Sequence, residues 1–316
     1  MKIVITDYEY DTLQQEQEVL TEAGLEYVAL QCKTEEEVIE ACRDADGIIT
    51  QYAPFTEKVI NNLEKCKVIA RYGIGVDSID VNAASEKGIT VCNVTDYCLD
   101  EVSDHAMALL LSAARKVTLL NNHVKNNDWN FNLGKPIHRL RGQVLGLVGF
   151  GNIPQRLAEK AKAFGLQIIT YDPYIDETAA GEKGARLVDF DSLLAEADFV
   201  SVHAPLTKAT QHMMNEEAFQ KMKPTAYLIN TARGGLVDEA ALEGAVKNKE
   251  IAGAAIDVME QEPPVTDHSL LAYEEMIITP HVAWYSEASE AELKRKTAQN
   301  VADVLTGKKP AYSVNR

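Results

Sequence analysis

Short runs that are apolar on both faces alternate with amphipathic stretches along almost the whole chain. The apolar runs are Ile3–Ile5, Gly47–Thr50, Val68–Ala70, Val144–Val148, Ile168–Tyr171, Phe199–Val202, Ala226–Ile229, Ile251–Val258 and Met276–Ile278. Runs this short, without polar alternation, predict parallel strands covered on both sides. Segments such as Arg156–Phe164 and Glu239–Lys247 carry apolar residues at helical spacing between them. The alternation predicts an α/β protein built from doubly wound parallel sheets. One segment departs from it. Asp100 to about Leu120 reads as a long helix with Val102, Ala106, Leu109, Leu110, Ala113, Val117 and Leu120 on one face, Asp100 as its N-cap and Glu101 in its first turn. Polar residues follow over Asn121–Gly142, with Trp129 and Phe131 set among asparagines. The helix pattern is equally that of a core helix and of a bridge between domains or subunits.

The chain has 316 residues, enough for about two domains at roughly 150 residues each. Against 31 Lys and Arg stand 48 Asp and Glu, a formal net charge of −17. Such a surface repels phosphate backbones and anionic lipid, so neither nucleic acid nor a membrane is an expected partner. No apolar run approaches the ~18 residues of a membrane span. The opening Met1–Asp7 turns acidic too soon for a signal peptide and reads as a first strand. Cys32, Cys42, Cys66, Cys92 and Cys98 are odd in number and form no C-x-x-C pair. They are expected as buried thiols in a reducing, cytoplasmic setting, and no metal site is expected.

The most informative local motif is the strand and turn Leu145–Pro154, which contains Gly149-Phe150-Gly151-Asn152-Ile153-Pro154. Gly149 allows the tight turn, Gly151 admits a pyrophosphate to the backbone, and the amides of Asn152 and Ile153 face it from a helix start over Gln155–Phe164. Strand, turn, helix and second strand in that order predict dinucleotide binding. Pro154 stands where the fingerprint has Gly or Ala, a position in the first helical turn where proline is tolerated. Asp172 ends the second strand at about the 20-residue spacing of the acid that meets the adenosine ribose. A carboxylate there repels a 2′-phosphate by about 4 kcal/mol per unit charge at ~4 Å and an effective dielectric of ~20. Pro173, Tyr174 and Ile175 follow with no arginine among them, so the expected cofactor is NAD rather than NADP.

Ligands of open α/β sheets sit beyond the carboxyl ends of the strands. Those ends read His203-Ala204-Pro205-Leu206, Thr231-Ala232-Arg233-Gly234-Gly235, Asp257, Glu262-Pro263-Pro264 and Thr279-Pro280-His281-Val282-Ala283-Trp284. An arginine, a glutamate and a histidine on successive strand ends can form a substrate clamp, an orienting acid and a proton carrier. Singly they read as a surface ion-pair former, a loop residue and one of two histidines, His203 being the rival proton carrier.

With these segments Gly73-Ile74-Gly75-Val76-Asp77-Ser78-Ile79-Asp80 completes a series, in order over nearly the whole chain, that resembles the D-isomer-specific 2-hydroxyacid dehydrogenases. Thr279–Ser289, with Trp284-Tyr285-Ser286, most resembles the branch that includes the C-terminal-binding protein dehydrogenases. Thr95 and Ser103 depart from the Pro and Ala expected there. The resemblance implies that Arg233 holds a substrate carboxylate and polarises the 2-oxo group. It implies that amides of the Gly73–Val76 loop, Ile74 and Gly75 among them, meet the same carboxylate. His281 then exchanges a proton with the carbonyl oxygen, and Glu262 favours the charged imidazole. Asp257 would face the carboxamide end of NAD, Thr231-Ala232 its backbone, and His203, Ala204 and Pro205 would run along it. The resemblance further implies a flavodoxin-like substrate domain from residues 1–98 and 286–316, with a Rossmann NAD-binding domain, 99–285, inserted in it. It places a homodimer contact on the Asp100 helix and the 121–142 arm. The regulatory C-terminal domain of some phosphoglycerate dehydrogenases is not expected.

Gln51-Tyr52-Ala53-Pro54 aligns with a loop that is basic in phosphoglycerate-type relatives, and Tyr52 cannot neutralise a phosphate. Trp284 beside His281 offers an apolar wall. The expected substrate is an unphosphorylated 2-oxo/D-2-hydroxy acid pair. Hydroxypyruvate or glyoxylate reduction, phosphoglycerate-type specificity, or a non-catalytic NAD(H)-sensing scaffold are the alternatives.

Overall fold

The computed structural model describes residues 1–315, which fall into two compact units: Met1–Cys98 with the chain from Ser286 onward, and Leu99–Tyr285. In the first unit β1 (Lys2–Ile5), β2 (Glu26–Ala29), β3 (Gly47–Thr50), β4 (Val68–Arg71) and β5 (Thr90–Cys92) form one parallel sheet in the order β2-β1-β3-β4-β5. Val4, Ile48, Ile69 and Val91 pack into its core with Val38, Phe55, Val59 and Ile60 from the connecting segments. The helix Glu287–Leu305 returns to this sheet, and Gly47 has no side chain because Val301, Leu305 and Val68 already occupy the space. A Cβ there would lie 2.9 Å from Val301.

The second unit contains β6 (Val144–Val148), β7 (Gln167–Tyr171), β8 (Arg186–Leu187), β9 (Phe199–Val202), β10 (Tyr227–Asn230), β11 (Gly253–Ile256) and β12 (Met276–Ile278). All are parallel, in the order β12-β11-β10-β9-β6-β7-β8. The order reverses at β6, so β6 and β9 flank the switch point where such sheets bind ligands. Hydrophobic layers cover both faces. Leu193, Phe219 and Leu242 pack with Val148, Val200 and Leu228 on one, while Ala106, Leu110, Leu157 and Ala161 pack with Leu147, Phe199 and Ile229 on the other. This doubly covered sheet explains why its strands read as unbroken apolar runs.

Three strands lie outside the predicted runs. β2 is an edge strand with alternate residues exposed, β5 has three residues and β8 two, each too short or too polar to announce itself. β11 is narrower than the run Ile251–Val258 that contains it. The predicted long helix divides into Leu99–Arg115 and Val117–Lys125, because Lys116 adopts a left-handed φ of 53°. The first piece is a core helix, with Ala106, Met107, Leu109 and Leu110 buried on the sheet. The second buries no residue, and Val117, expected on the apolar face, is 56% exposed. Asp100 is not the N-cap. It lies inside the first turn, and its carboxylate instead accepts a 2.7 Å hydrogen bond from Arg156.

At Gly146, on β6, a Cβ would lie 2.8 Å from Leu193 and 3.0 Å from Ala197. Gly146→Val should therefore cost about 1–3 kcal/mol through overpacking, read as a lower urea midpoint with an unchanged m-value.

Candidate active site

The glycine turn joins β6 to the helix Asn152–Ala163, which starts earlier than its apolar pattern indicates, with Gly151 as N-cap. Gly149 has φ 91°, and a Cβ on it would press at 3.2 Å on the backbone of His203 and Ala204 at the end of β9. Glycine is thus required both for the turn and for closing the switch point. A Cβ on Gly151 would meet nothing within 4 Å, and no side chain caps this helix. Pro154 is the third residue of the helix and buried, where its missing N–H costs no helical bond. Asp172 closes the turn from β7. One carboxylate oxygen accepts the Phe150 N–H at 2.8 Å and the other the Tyr174 N–H at 2.9 Å. An ionised carboxylate has about four acceptor positions, so hydrogen-bonding capacity remains for a ribose diol.

Asn152 is exposed and Ile153 half-buried at the helix start, and Ala204 and Pro205 follow the end of β9. Thr231, after β10, is buried, and its hydroxyl oxygen has no partner. An open glycine cradle, a helix start without a side-chain cap, a carboxylate with spare acceptor positions and an orphan hydroxyl together fit a dinucleotide. The ring of His203 hydrogen-bonds Ser201 at 2.8 Å. Burial pushes its pKa down to about 3. Desolvation thus disfavours the imidazolium that the rival proton carrier would need.

Arg233, Glu262 and His281 follow β10, β11 and β12, three adjacent strands. His281 Nδ1 lies 2.6 Å from Glu262 Oε2, and Glu262 Oε1 accepts the Met259 N–H at 2.9 Å. Burial pushes the Glu262 carboxyl upward. The hydrogen bond and charge of His281, the Met259 N–H and the charge of Arg233 outweigh it and hold Glu262 below its ordinary value. The carboxylate thus stays charged beside the imidazole. Arg233 is half-buried and donates to the Ala232 carbonyl at 2.7 Å. Its turn is closed by buried Asn230, which accepts the Ala232 N–H at 3.0 Å and donates to the Arg233 carbonyl at 2.9 Å. Gly234 brings this turn against the loop carrying Glu262, since a Cβ on it would lie 2.0 Å from Met259.

Asp257 is 1% exposed. Its carboxylate accepts from Thr279 Oγ1 at 2.5 Å, Val282 N–H at 3.0 Å and Ala283 N–H at 2.8 Å, while its carbonyl accepts the His281 N–H at 2.8 Å. It clamps the loop that carries His281, a role that its expected place at the carboxamide did not suggest. His105 reinforces the clamp, its Nε2 lying 3.0 Å from Thr279 Oγ1 and 3.5 Å from Asp257. The sequence reading passed over His105, and it gave no role to Gly234, within the Thr231–Gly235 strand end, or to Asn230 just before it. Trp284, half-buried on the same loop, sets its ring edge-on to Tyr285 at 5.6 Å.

In the first unit, Tyr52 is 48% exposed on the loop after β3, while half-buried Ile74 and Gly75 follow β4. Arg71, at the end of β4, donates from Nε to the Gln51 carbonyl at 3.2 Å, and its guanidinium lies 6.0 Å from the Tyr52 ring centroid. The loop read as lacking a basic group therefore has one beside it, supplied by the neighbouring strand.

Residues 107–283 match the profile of the D-isomer specific 2-hydroxyacid dehydrogenase NAD binding domain. The chain is 40% identical over 317 aligned positions to a D-3-phosphoglycerate dehydrogenase of Methanocaldococcus jannaschii, covering 100% of this chain and 59% of the relative. It is 37% identical to a glyoxylate reductase of Korarchaeum cryptofilum, covering 88% of this chain and 85% of that one. The solved D-lactate dehydrogenase of Aquifex aeolicus, complexed with NAD and lactic acid, superposes with a TM-score of 0.91 at 28% identity over 99% of both chains. The chain belongs to the D-isomer-specific 2-hydroxyacid dehydrogenases, and its second unit holds the family's NAD-binding domain. It spans 59%, 55% and 53% of the length of three phosphoglycerate dehydrogenases it matches.

Gly149→Ala, forced onto a φ of 91° and against the β9 backbone, should weaken NADH binding at least about tenfold, a loss of ~1.4 kcal/mol. Fluorescence titration checks this, with circular dichroism expected to show the fold retained.

Proposed function

We propose that the protein interconverts a 2-oxo acid and a D-2-hydroxy acid. The observation that carries this reading is the 2.6 Å His281–Glu262 pair with Arg233 on the next strand. Bound NADH supplies the hydride. Arg233 presents a planar fork to the substrate carboxylate and draws charge toward the 2-oxo oxygen. His281 donates its proton to that oxygen in reduction and accepts it back in oxidation, while Glu262 orients the ring and favours its charged form. Thr231, Ala232, His203, Ala204 and Pro205 are the residues proposed along the cofactor. Tyr52, Ile74, Gly75 and Trp284 are proposed to read the substrate. The carboxylate of Asp172 favours NAD over NADP.

The proposed substrate is a small unphosphorylated acid, supported by the uncharged Tyr52 ring and the indole of Trp284. Arg71 beside Tyr52 favours a second reading, a phosphorylated acid of the kind named by the phosphoglycerate dehydrogenases. A homodimer is proposed through the segment after Arg115. The helix Val117–Lys125 buries nothing, and Trp129 and Phe131 are 89% and 74% exposed, an apolar surface that a partner would cover. No helix among the described residues is long and apolar enough to cross a membrane. The five free thiols support a reducing, cytoplasmic compartment.

NADH oxidation with glyoxylate, hydroxypyruvate, pyruvate and longer 2-oxo acids, with D-3-phosphoglycerate assayed in reverse, separates the two substrate readings. Inactivity with all of them overturns the enzymatic one. Arg233→Lys should lower kcat/KM by about 100-fold or more with NADH affinity retained. Asp172→Ser should raise kcat/KM for NADPH relative to NADH.

Glu262→Gln keeps a hydrogen-bond partner but removes the charge that favours imidazolium. The alkaline limb of reductive kcat/KM should therefore move to lower pH, and the acid limb of oxidation should move the same way. Profiles of kcat/KM against pH in both directions decide this; unmoved limbs would mean that Glu262 does not tune His281.

A further inference from the structure

The carboxylate of Asp7, two residues beyond β1, has no assigned part in the chemistry, yet it accepts five hydrogen bonds while only 8% exposed. Oδ1 takes the Thr6 hydroxyl at 2.8 Å, the Thr50 hydroxyl at 3.0 Å and the Gln51 N–H at 3.0 Å. Oδ2 takes the Tyr52 N–H at 2.5 Å and the Ala53 N–H at 3.1 Å. Three successive amides of the loop after β3 thus converge on one buried anion. Gln51 is tied twice more, its Oε1 accepting the Glu9 N–H at 2.9 Å and its carbonyl accepting from Arg71. The backbone of residue 52 is pinned while its ring stands half-exposed.

A buried carboxylate is costly unless every acceptor position is used, and backbone N–H donors cannot adjust to a neutral replacement. Asparagine is nearly isosteric but offers one oxygen. Whichever way its amide turns, Nδ2 faces at least one loop N–H, donor against donor. The hydroxyls of Thr6 and Thr50 can reverse their hydrogen bonds; the amides cannot. The charge is therefore required by the loop rather than by the strand that carries it.

We infer that Asp7 is a positioning residue for substrate selection: it sets the loop that aims Tyr52, and through it the discrimination between 2-oxo acids of different side-chain size. The inference rests on the proposed role of Tyr52 as a substrate-reading residue. Loosening the loop should then change recognition of the distal side chain far more than proton transfer by His281 or cofactor binding.

The test is a double-mutant cycle with Asp7→Asn and Tyr52→Ala, read as the ratio of kcat/KM for a longer 2-oxo acid to that for glyoxylate. Asp7→Asn should change this ratio about tenfold, through KM for the longer acid, with kcat within about twofold and NADH affinity unchanged. In the Tyr52→Ala background the same substitution should leave the ratio unmoved, because nothing remains to be aimed. A Tyr52→Ala protein with the wild-type ratio overturns the reading of Tyr52 itself. A normal response to Tyr52→Ala with no effect of Asp7→Asn overturns the positioning role alone. A lower melting temperature with equal losses on every acid makes Asp7 purely structural and also overturns it. If Asp7→Asn does not fold, Thr50→Val, which removes one donor to Oδ1, must move the ratio in the same direction by a smaller factor, and an unmoved ratio overturns the proposal.

Discussion

A carboxylate placed just past the end of a parallel strand, accepting the N–H groups of the loop on the neighbouring strand, is the contact on which the functional surfaces of both units depend. Asp7 after β1 takes the amides of residues 51–53 after β3. Asp172 after β7 takes the Phe150 amide of the glycine turn after β6. Asp257 after β11 takes the amides of Val282 and Ala283 in the loop after β12. A parallel sheet leaves its last amides without ladder partners at the carboxyl edge, and a loop there must find acceptors elsewhere. An aspartate on the adjacent strand supplies two oxygens at the right height, and its charge shortens the bonds it accepts.

This arrangement divides labour between carboxylates of the same chemical type. Asp257 is almost wholly buried and engaged by the chain, so it holds geometry. Asp172 is half-buried and keeps acceptor capacity for a ligand while it closes the turn. Glu262 sits at the surface end of its loop with one oxygen on the chain and one on His281. Two histidines separate in the same way. His281 faces a carboxylate, whereas His203 is desolvated beside a serine hydroxyl, which pushes its pKa down. Burial and partner, not residue type, set the environment of each ring.

Close backbone approaches complete the site. Gly149 lets the turn after β6 lie against the end of β9, and Gly234 lets the Arg233 turn lie against Met259. Each brings together segments far apart in the chain, so the proposed catalytic and cofactor residues sit on loops braced against strand ends. A site built on strand ends holds its side chains more rigidly than one carried by mobile segments.

The α/β class, the glycine turn, the acid at the end of the second strand and the order of Arg233, Glu262 and His281 were all legible along the chain. They depend on local features: apolar runs, glycines at fixed spacing and residues just past a strand. The short strands β2, β5 and β8 were not legible, because an edge strand or a two-residue bridge is defined by its pairing partner rather than by its own pattern. The break at Lys116 was hidden because nothing in lysine itself announces a left-handed backbone. Tertiary structure alone decided what Asp7, His105, Arg71 and Asp257 do. Apart from Thr6 beside Asp7, their hydrogen-bond partners lie from 20 to 174 residues away, and no periodicity in the chain encodes which donor or acceptor will lie within reach once the sheets have formed.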